Sequence, residues 1–232
     1  MMQTKKIKIG LITLALLTAS CAGENAVQQT QNANRAATNS AANQTAKTAG
    51  KSNPDNTTAD IRVVENVPEV PYVPTKELVV DKMLEMADVK GTDVLWDLGS
   101  GDGRIPITAA KRFGTRGVGV DIDPQRVKEA NENARKNNVT DKVRFIEEDL
   151  FNVDFSEATV VTLYLLPEVN LRLRPKLLDS LKPGTRIVSH NYDMGNWQPE
   201  KVEVVKTADQ DDHIVYFWRV PENKNELKEI LK

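Results

Sequence analysis

The sequence predicts an α/β domain built on a doubly wound, mostly parallel seven-stranded sheet with an antiparallel edge strand. Three observations predict it. From residue 93 onward, short apolar runs alternate with helix-compatible segments, the order that gives a parallel sheet covered by helices. The first of those runs, DVLWDLG (93–99), stops at a glycine-rich turn that leads straight into a helix-compatible stretch. The chain then closes on two strand-like runs, KVEVVKT and HIVYFWRV, separated by Asp-Gln-Asp-Asp, which read as a closing pair.

Each element has its own signal. PYVPTKELVVDKMLEMADVKG begins as an extended Pro-x-x-Pro approach and continues as a helix in which Leu78, Val79, Met83 and Met86 share one face, ended by Gly91. RIPITAAKRFG (104–114) is the helix after the first strand, and Pro106 is tolerated there because it falls in the first turn. GVGVDID (117–123) is the second strand. The amphipathic helix PQRVKEANENARKNN follows, with Asp123 as its cap and Pro124 at its first position. KVRFIEEDLF (142–151) supplies the third strand and its exit loop. ATVVTLYLLP (158–167) is apolar almost throughout, as a strand covered on both faces must be. Residues 168–181 read as helix divided near Pro175, and Lys182-Pro183-Gly184 turns into the fifth strand, TRIVSHN. Trp96 and Trp218 are core candidates.

The chain of 232 residues has a single cysteine and a formal charge of −2. One cysteine excludes an intrachain disulfide and a multi-cysteine metal site, and no metal is expected. Lys5, Lys6 and Lys8 lie in the first ten residues, so the remainder is more acidic still, a poor match for a nucleic-acid backbone. Those lysines, the short apolar run Ile9–Leu17 and the small residues before Cys21 have the three parts of a secretory signal over residues 1–20. Their ending resembles a bacterial lipobox, with Thr18 where leucine is usual. That resemblance implies cleavage and lipidation at Cys21, hence a membrane anchor in the bacterial cell envelope with the domain on the periplasmic side; an ordinary signal or an uncleaved anchor is the alternative. Residues 21–60, rich in Ala, Asn, Gln and Thr, are expected to form a disordered tether, and the domain occupies 61–232.

Chemistry points to the turn D-L-G-S-G-D-G-R (97–104). In a doubly wound sheet ligands bind beyond the carboxyl ends of the strands. Gly99, Gly101 and Gly103 clear side-chain bulk there, so that a ligand can reach main-chain groups, and the helix N-terminus adds a partial positive charge. A dinucleotide fingerprint requires a third glycine where Arg104 or Pro106 stands, so that reading fails. Three acids stand at successive strand ends: Asp97, Asp121 and Asp149.

D-x-G-x-G-x-G after a strand resembles motif I of class I S-adenosylmethionine-dependent methyltransferases, a Rossmann-like fold. The resemblance implies that Asp97 faces the methionine ammonium group of S-adenosyl-L-methionine and that Gly99, Ser100, Gly101, Asp102 and Gly103 carry its methionyl and ribose portion. It further implies that Asp121 with Ile122 holds the ribose hydroxyls, and that Asp149 with the Leu150 N–H meets the adenine. P-Y-V-P-T (71–75), D-L-F…T-L-Y-L-L-P (149–167), S-H-N-Y (189–192) and Trp197-x-Pro199 resemble one subgroup, the ATP synthase c-subunit lysine methyltransferase family and its bacterial relatives. This subgroup implies a protein lysine side chain as acceptor. Tyr164-Leu165-Leu166-Pro167 stands where enzymes that methylate bases or glutamine often carry Asn/Asp-Pro-Pro-Tyr/Phe, so a nucleic-acid partner is not expected. Tyr72, Tyr164 and His190 are the candidates for the methyl-transfer site. Tyr72 either lines it or packs as a lid. His190 either helps remove a proton, with a pKa near neutrality, or is simply hydrogen-bonded, and His213 is structural. An exported binding module without catalysis and a small-molecule methyltransferase remain as alternatives. Export also conflicts with a cofactor made in the cytoplasm.

Overall fold

The computed structural model describes residues 72–208 and 211–231. The expectations for residues 1–71, including the signal, Cys21 and the tether, lie outside them. The strands are β1 Val94–Leu98, β2 Arg116–Asp121, β3 Val143–Glu147, β4 Val160–Leu163, β5 Arg186–His190, β6 Lys201–Lys206 and β7 Asp212–Arg219. The helices among the described residues are α1 Glu77–Met86, α2 Arg104–Phe113, α3 Pro124–Lys136, α4 Pro167–Ser180 and α5 Lys224–Ile230.

The strands form one sheet in the order β3-β2-β1-β4-β5-β7-β6. The first five run parallel, and β7 runs antiparallel to both of its neighbours. The reversal thus falls one strand in from the edge. From β1 the chain winds outward through β2 and β3, then restarts on the other side at β4. The C-terminal ends of β1, β2 and β4 therefore border the switch point where such sheets bind ligands.

Alternation along β1 feeds two cores. Trp96 and Leu98 join Val118, Val161, Leu163 and Ile187 beneath Leu173 and Leu177 of α4. Leu95 joins Val160, Val188, Val215 and Phe217 against Val79, Met83 and Leu84 of α1. Trp96 and Trp218 are buried as expected. Burying each such side chain contributes about 1.5–3 kcal/mol, so the strands that carry the site are clamped from both faces.

Two sequence expectations are revised and one helix is added. In α1 the buried stripe is Val79, Val80, Met83, Leu84 and Met86, while Leu78 is 57% exposed; a step of 100° per residue carries it off the face centred on Val79 and Met83. The helix of residues 168–181 is continuous through Pro175. The ring deprives the Leu171 carbonyl of its partner, but Leu171 lies on the exposed side, where water can replace the lost bond. α5 is not foreseen from the sequence, because a short polar run carries little periodicity; its start is fixed by Asn223, whose side chain accepts from Glu226 N. Asp123 caps α3 as expected, accepting from Gln125 N at 2.8 Å.

Candidate active site

The turn 99–103 joins β1 to α2, with φ of +84°, +52° and +78° at Gly99, Gly101 and Gly103. At Gly101 the lack of a side chain is enforced from outside, since a Cβ there would sit 2.5 Å from the Tyr72 ring. Most main-chain N–H groups of the turn already have partners within the protein. Gly99 and Ser100 donate to Val120 O (2.8 and 2.9 Å), Gly103 donates to Ser100 O (2.9 Å), and Gly101 donates to Asp121 Oδ2 (2.7 Å). The expectation of direct ligand contact with these groups is corrected accordingly. The turn is a braced cradle, its glycines packed closely by Leu165, Tyr72 and Phe145, with carboxylates beside it.

Asp121 ends β2 and is half-buried. Its Oδ1 accepts from Asp123 N at 3.0 Å, so each oxygen gives one lone pair to the protein and keeps another. Ile122 beside it is half-buried. Asp97 is the fourth residue of β1, lies level with Gly119 and Thr162, and is 3% exposed. The Thr162 hydroxyl donates to Asp97 Oδ1 at 2.7 Å. Burial, with lesser repulsion from Asp121 and Asp102, pushes its carboxyl up to about 8 despite that bond. Asp149, two residues past β3, turns its Oδ1 to Phe151 N at 2.8 Å, closing an Asx turn. Leu150 packs on the core below.

S-adenosylmethionine, as the resemblance implies, fits this donor set. The two free lone pairs of Asp121 match a pair of vicinal hydroxyls, and Asp97, once it gives up its proton, presents a buried carboxylate to an ammonium group. Gly101, with no side chain, leaves the room that the Tyr72 ring occupies over the turn.

Residues 72–75 form a strap across the cradle. The Tyr72 ring rests on Gly101 on one side and carries Arg126 over it, the guanidinium carbon 4.4 Å from the ring centroid. Asp102 grips Arg104 bidentately (2.9 and 2.7 Å), and Arg104 Nη1 donates to Thr75 O at 2.8 Å. Burial raises the Asp102 carboxyl, but the hydrogen bonds and charge of Arg104 outweigh it and the net effect is downward. Burial and then the charge of Asp102 raise the Tyr72 phenol, which stays protonated. Tyr72, 43% exposed, is therefore a lid aromatic over the glycine turn. Arg126 and Thr75 are participants that sequence reasoning missed.

Beyond β4 and β5 a second cluster forms. The Tyr164 ring centroid lies 3.9 Å from that of His190 and 6.3 Å from that of Tyr192, nearly parallel to the latter. Both tyrosines are half-buried, and burial raises both phenols. His190 is 1% exposed. Burial first, then the charges of His213 and Lys76, hold its imidazole at about 3. The expectation of a pKa near neutrality is corrected: His190 is neutral at physiological pH and too weak a base to accept a proton efficiently. Its ring lies against that of Tyr164. His213, read as structural, is hydrogen-bonded to His190.

Asn170 was also missed. Fully buried on α4, it directs Nδ2 to Ser189 Oγ, Tyr192 O and Asp193 O at 3.2–3.3 Å, fixing the turn in which Asn191 has φ +62°. The only clue in the sequence is an amide at an inward position between Val169 and Leu173.

Residues 97–201 match the ANTKMT methyltransferase domain. Over 160 residues the chain is 51% identical to the protein-lysine N-methyltransferase of Saccharolobus islandicus (strain REY15A), covering 68% of this chain and 98% of that protein. It is 33% identical over 133 residues to the ATP synthase c-subunit lysine N-methyltransferase of Xenopus laevis, covering 57% of this chain and 58% of that one. A crystal structure of an RNA methyltransferase from Salinibacter ruber, in complex with S-adenosyl-L-homocysteine, superposes with a TM-score of 0.62 at 56% identity, covering 65% of this chain and 95% of that one. Glycine turn, strand-end carboxylates and relatives agree: the chain belongs to the class I S-adenosylmethionine-dependent methyltransferases.

Proposed function

We propose that the acceptor is a lysine side chain of a protein. The observation that carries this is the 51% identity extending over 98% of the Saccharolobus protein-lysine N-methyltransferase. The Salinibacter relative is described as acting on RNA, and charge weighs against that acceptor here. Asp121, Glu147, Glu148, Asp149, Glu168 and Asp193 lie at or just past the C-terminal ends of β2 to β5. Arg104 and Arg126 near the cradle are held by Asp102 and by Asp123 and Glu129, and Arg172 stacks on Phe151. Such a rim repels phosphates and draws ammonium groups.

When bound, the cofactor supplies an electrophilic methyl group on a sulfonium. The protein's part is placement. The incoming ammonium must give its proton to solvent and shed its water before its lone pair can attack, and the half-buried Tyr164 and Tyr192 offer an apolar, electron-rich approach for it. The test is transfer of labelled methyl from S-adenosylmethionine into envelope protein, RNA and small-molecule fractions offered together. Label in ε-N-methyllysine, released only by protein hydrolysis, is the expected result. Label in RNA or in the solvent-soluble fraction refutes the acceptor, and no label despite intact cofactor binding favours a binding module.

We further propose that the domain is exported and lipid-anchored through Cys21, supported by Lys5, Lys6, Lys8, the apolar run Ile9–Leu17 and the lone cysteine's position. Radiolabelled palmitate is expected to mark the parent and to be lost in Cys21→Ser; equal labelling of both contradicts the anchor.

A further inference from the structure

His213, on β7, belongs neither to the cofactor cradle nor to the tyrosine pair, yet it is tied to both through His190. His190 Nε2 lies 2.9 Å from His213 Nδ1, and His190 Nδ1 lies 3.2 Å from Thr75 Oγ1. Thr75 in turn receives Arg104 at its carbonyl, and Arg104 grips Asp102 in the glycine turn. A line of contacts therefore runs from the reversed strand β7 through β5 and the strap to the cofactor turn.

The proton positions on this line follow from one orphan. His213 Nε2 is buried and has no partner among the described residues. A bare lone pair is cheaper to bury than an N–H without an acceptor. The proton of His213 thus sits on Nδ1 and is donated to His190 Nε2. That leaves the His190 proton on Nδ1, facing the Thr75 hydroxyl oxygen. Reversing the chain would bury an unsatisfied N–H at its far end. Both rings must be neutral for the line to hold, and burial lowers both imidazoles from their ordinary value.

We propose that His213 is a positioning residue for methyl transfer: by donating to His190 it sets the tautomer that seats the strap over the cofactor turn and backs the Tyr164 ring. This rests on the cofactor site and not on the nature of the acceptor.

The test uses the full chain and measures the calorimetric Kd for S-adenosylmethionine, the cofactor KM and kcat, and Tm. His213→Phe keeps a ring but no donor, whereas His213→Asn places an amide N–H where Nδ1 stood. His213→Phe is expected to raise Kd and cofactor KM about tenfold, the scale of one buried hydrogen bond. His213→Asn stays within about twofold of the parent, and Thr75→Val, at the strap end of the line, matches the phenylalanine variant. A histidine that only supports the fold would lower Tm in His213→Phe and leave Kd and KM unmoved. That result, or an asparagine variant as impaired as the phenylalanine one, overturns the proposal. Should His213→Phe fail to fold, Thr75→Val decides alone, and an unchanged Kd there also overturns it. Were the acceptor something other than lysine, no variant and no parent would form methyllysine, while the Kd series would stand.

Discussion

Asp121→Ala is expected to weaken S-adenosylmethionine binding by at least about 100-fold, to the point where titration calorimetry shows no heat. Two losses combine. The ribose hydroxyls lose the acceptors left free on both carboxylate oxygens. The cradle also loses its brace, because Gly101 N and Asp123 N both donate to Asp121 (2.7 and 3.0 Å) and would be orphaned together. Each unsatisfied backbone donor at a half-buried position costs up to about 1–3 kcal/mol, so the variant should melt earlier yet still fold. Retention of Kd within about tenfold of the parent would remove Asp121 from the cofactor site.

Asp97→Asn is expected to stabilise the ligand-free protein while impairing cofactor binding. Burial pushes the Asp97 carboxyl up to about 8 from 3.8, so the folded state holds a proton that the unfolded state releases. Between those values the folded form binds more protons. Its stability therefore falls as pH rises through the window, by on the order of 4 kcal/mol at pH 7 if the whole difference is counted. Asparagine does not titrate and can still accept the Thr162 hydroxyl. Part of the gain is offset by an amide N–H in an apolar setting, leaving a rise in Tm of roughly 5 °C at pH 7. The increment should grow from pH 5 to about 8 and level off above. Cofactor affinity of the parent has the same origin and runs the other way with pH: facing an ammonium group requires the carboxylate, so binding tightens as pH approaches 8 and releases a proton below it. In Asp97→Asn that pH dependence disappears. A stability increment flat across this range would mean that Asp97 is ionised in the free protein.

Much of this was legible in the sequence because the signals were local. Strand length, the glycine stop after Leu98 and the Asp123-Pro124 helix start fix where each strand ends, and hence where Asp97, Asp121 and Asp149 stand. What could not be read depends on distant segments. His190 is drawn far below neutrality by burial and by a partner 23 residues away on a reversed strand. Asp121 spends a lone pair on Gly101, 20 residues upstream. Tyr72 becomes a lid because Arg126 comes to lie over its ring. The phase of α1 was misjudged at Leu78 because the apolar residues crowded into ten positions admit two neighbouring stripes, and only the sheet beneath selects one.

The place of β7 governs when the enzyme can exist during synthesis. Residues 212–219, the last strand of the sheet in chain order, insert between two strands made earlier. They bring Val215, Phe217 and Trp218 into both cores and deliver His213 to His190. A ribosome-bound chain lacking that strand has an open sheet and an unseated strap. The sheet can therefore close, and the cofactor turn be seated, only after residues 212–219 have been made, in whichever compartment the chain folds.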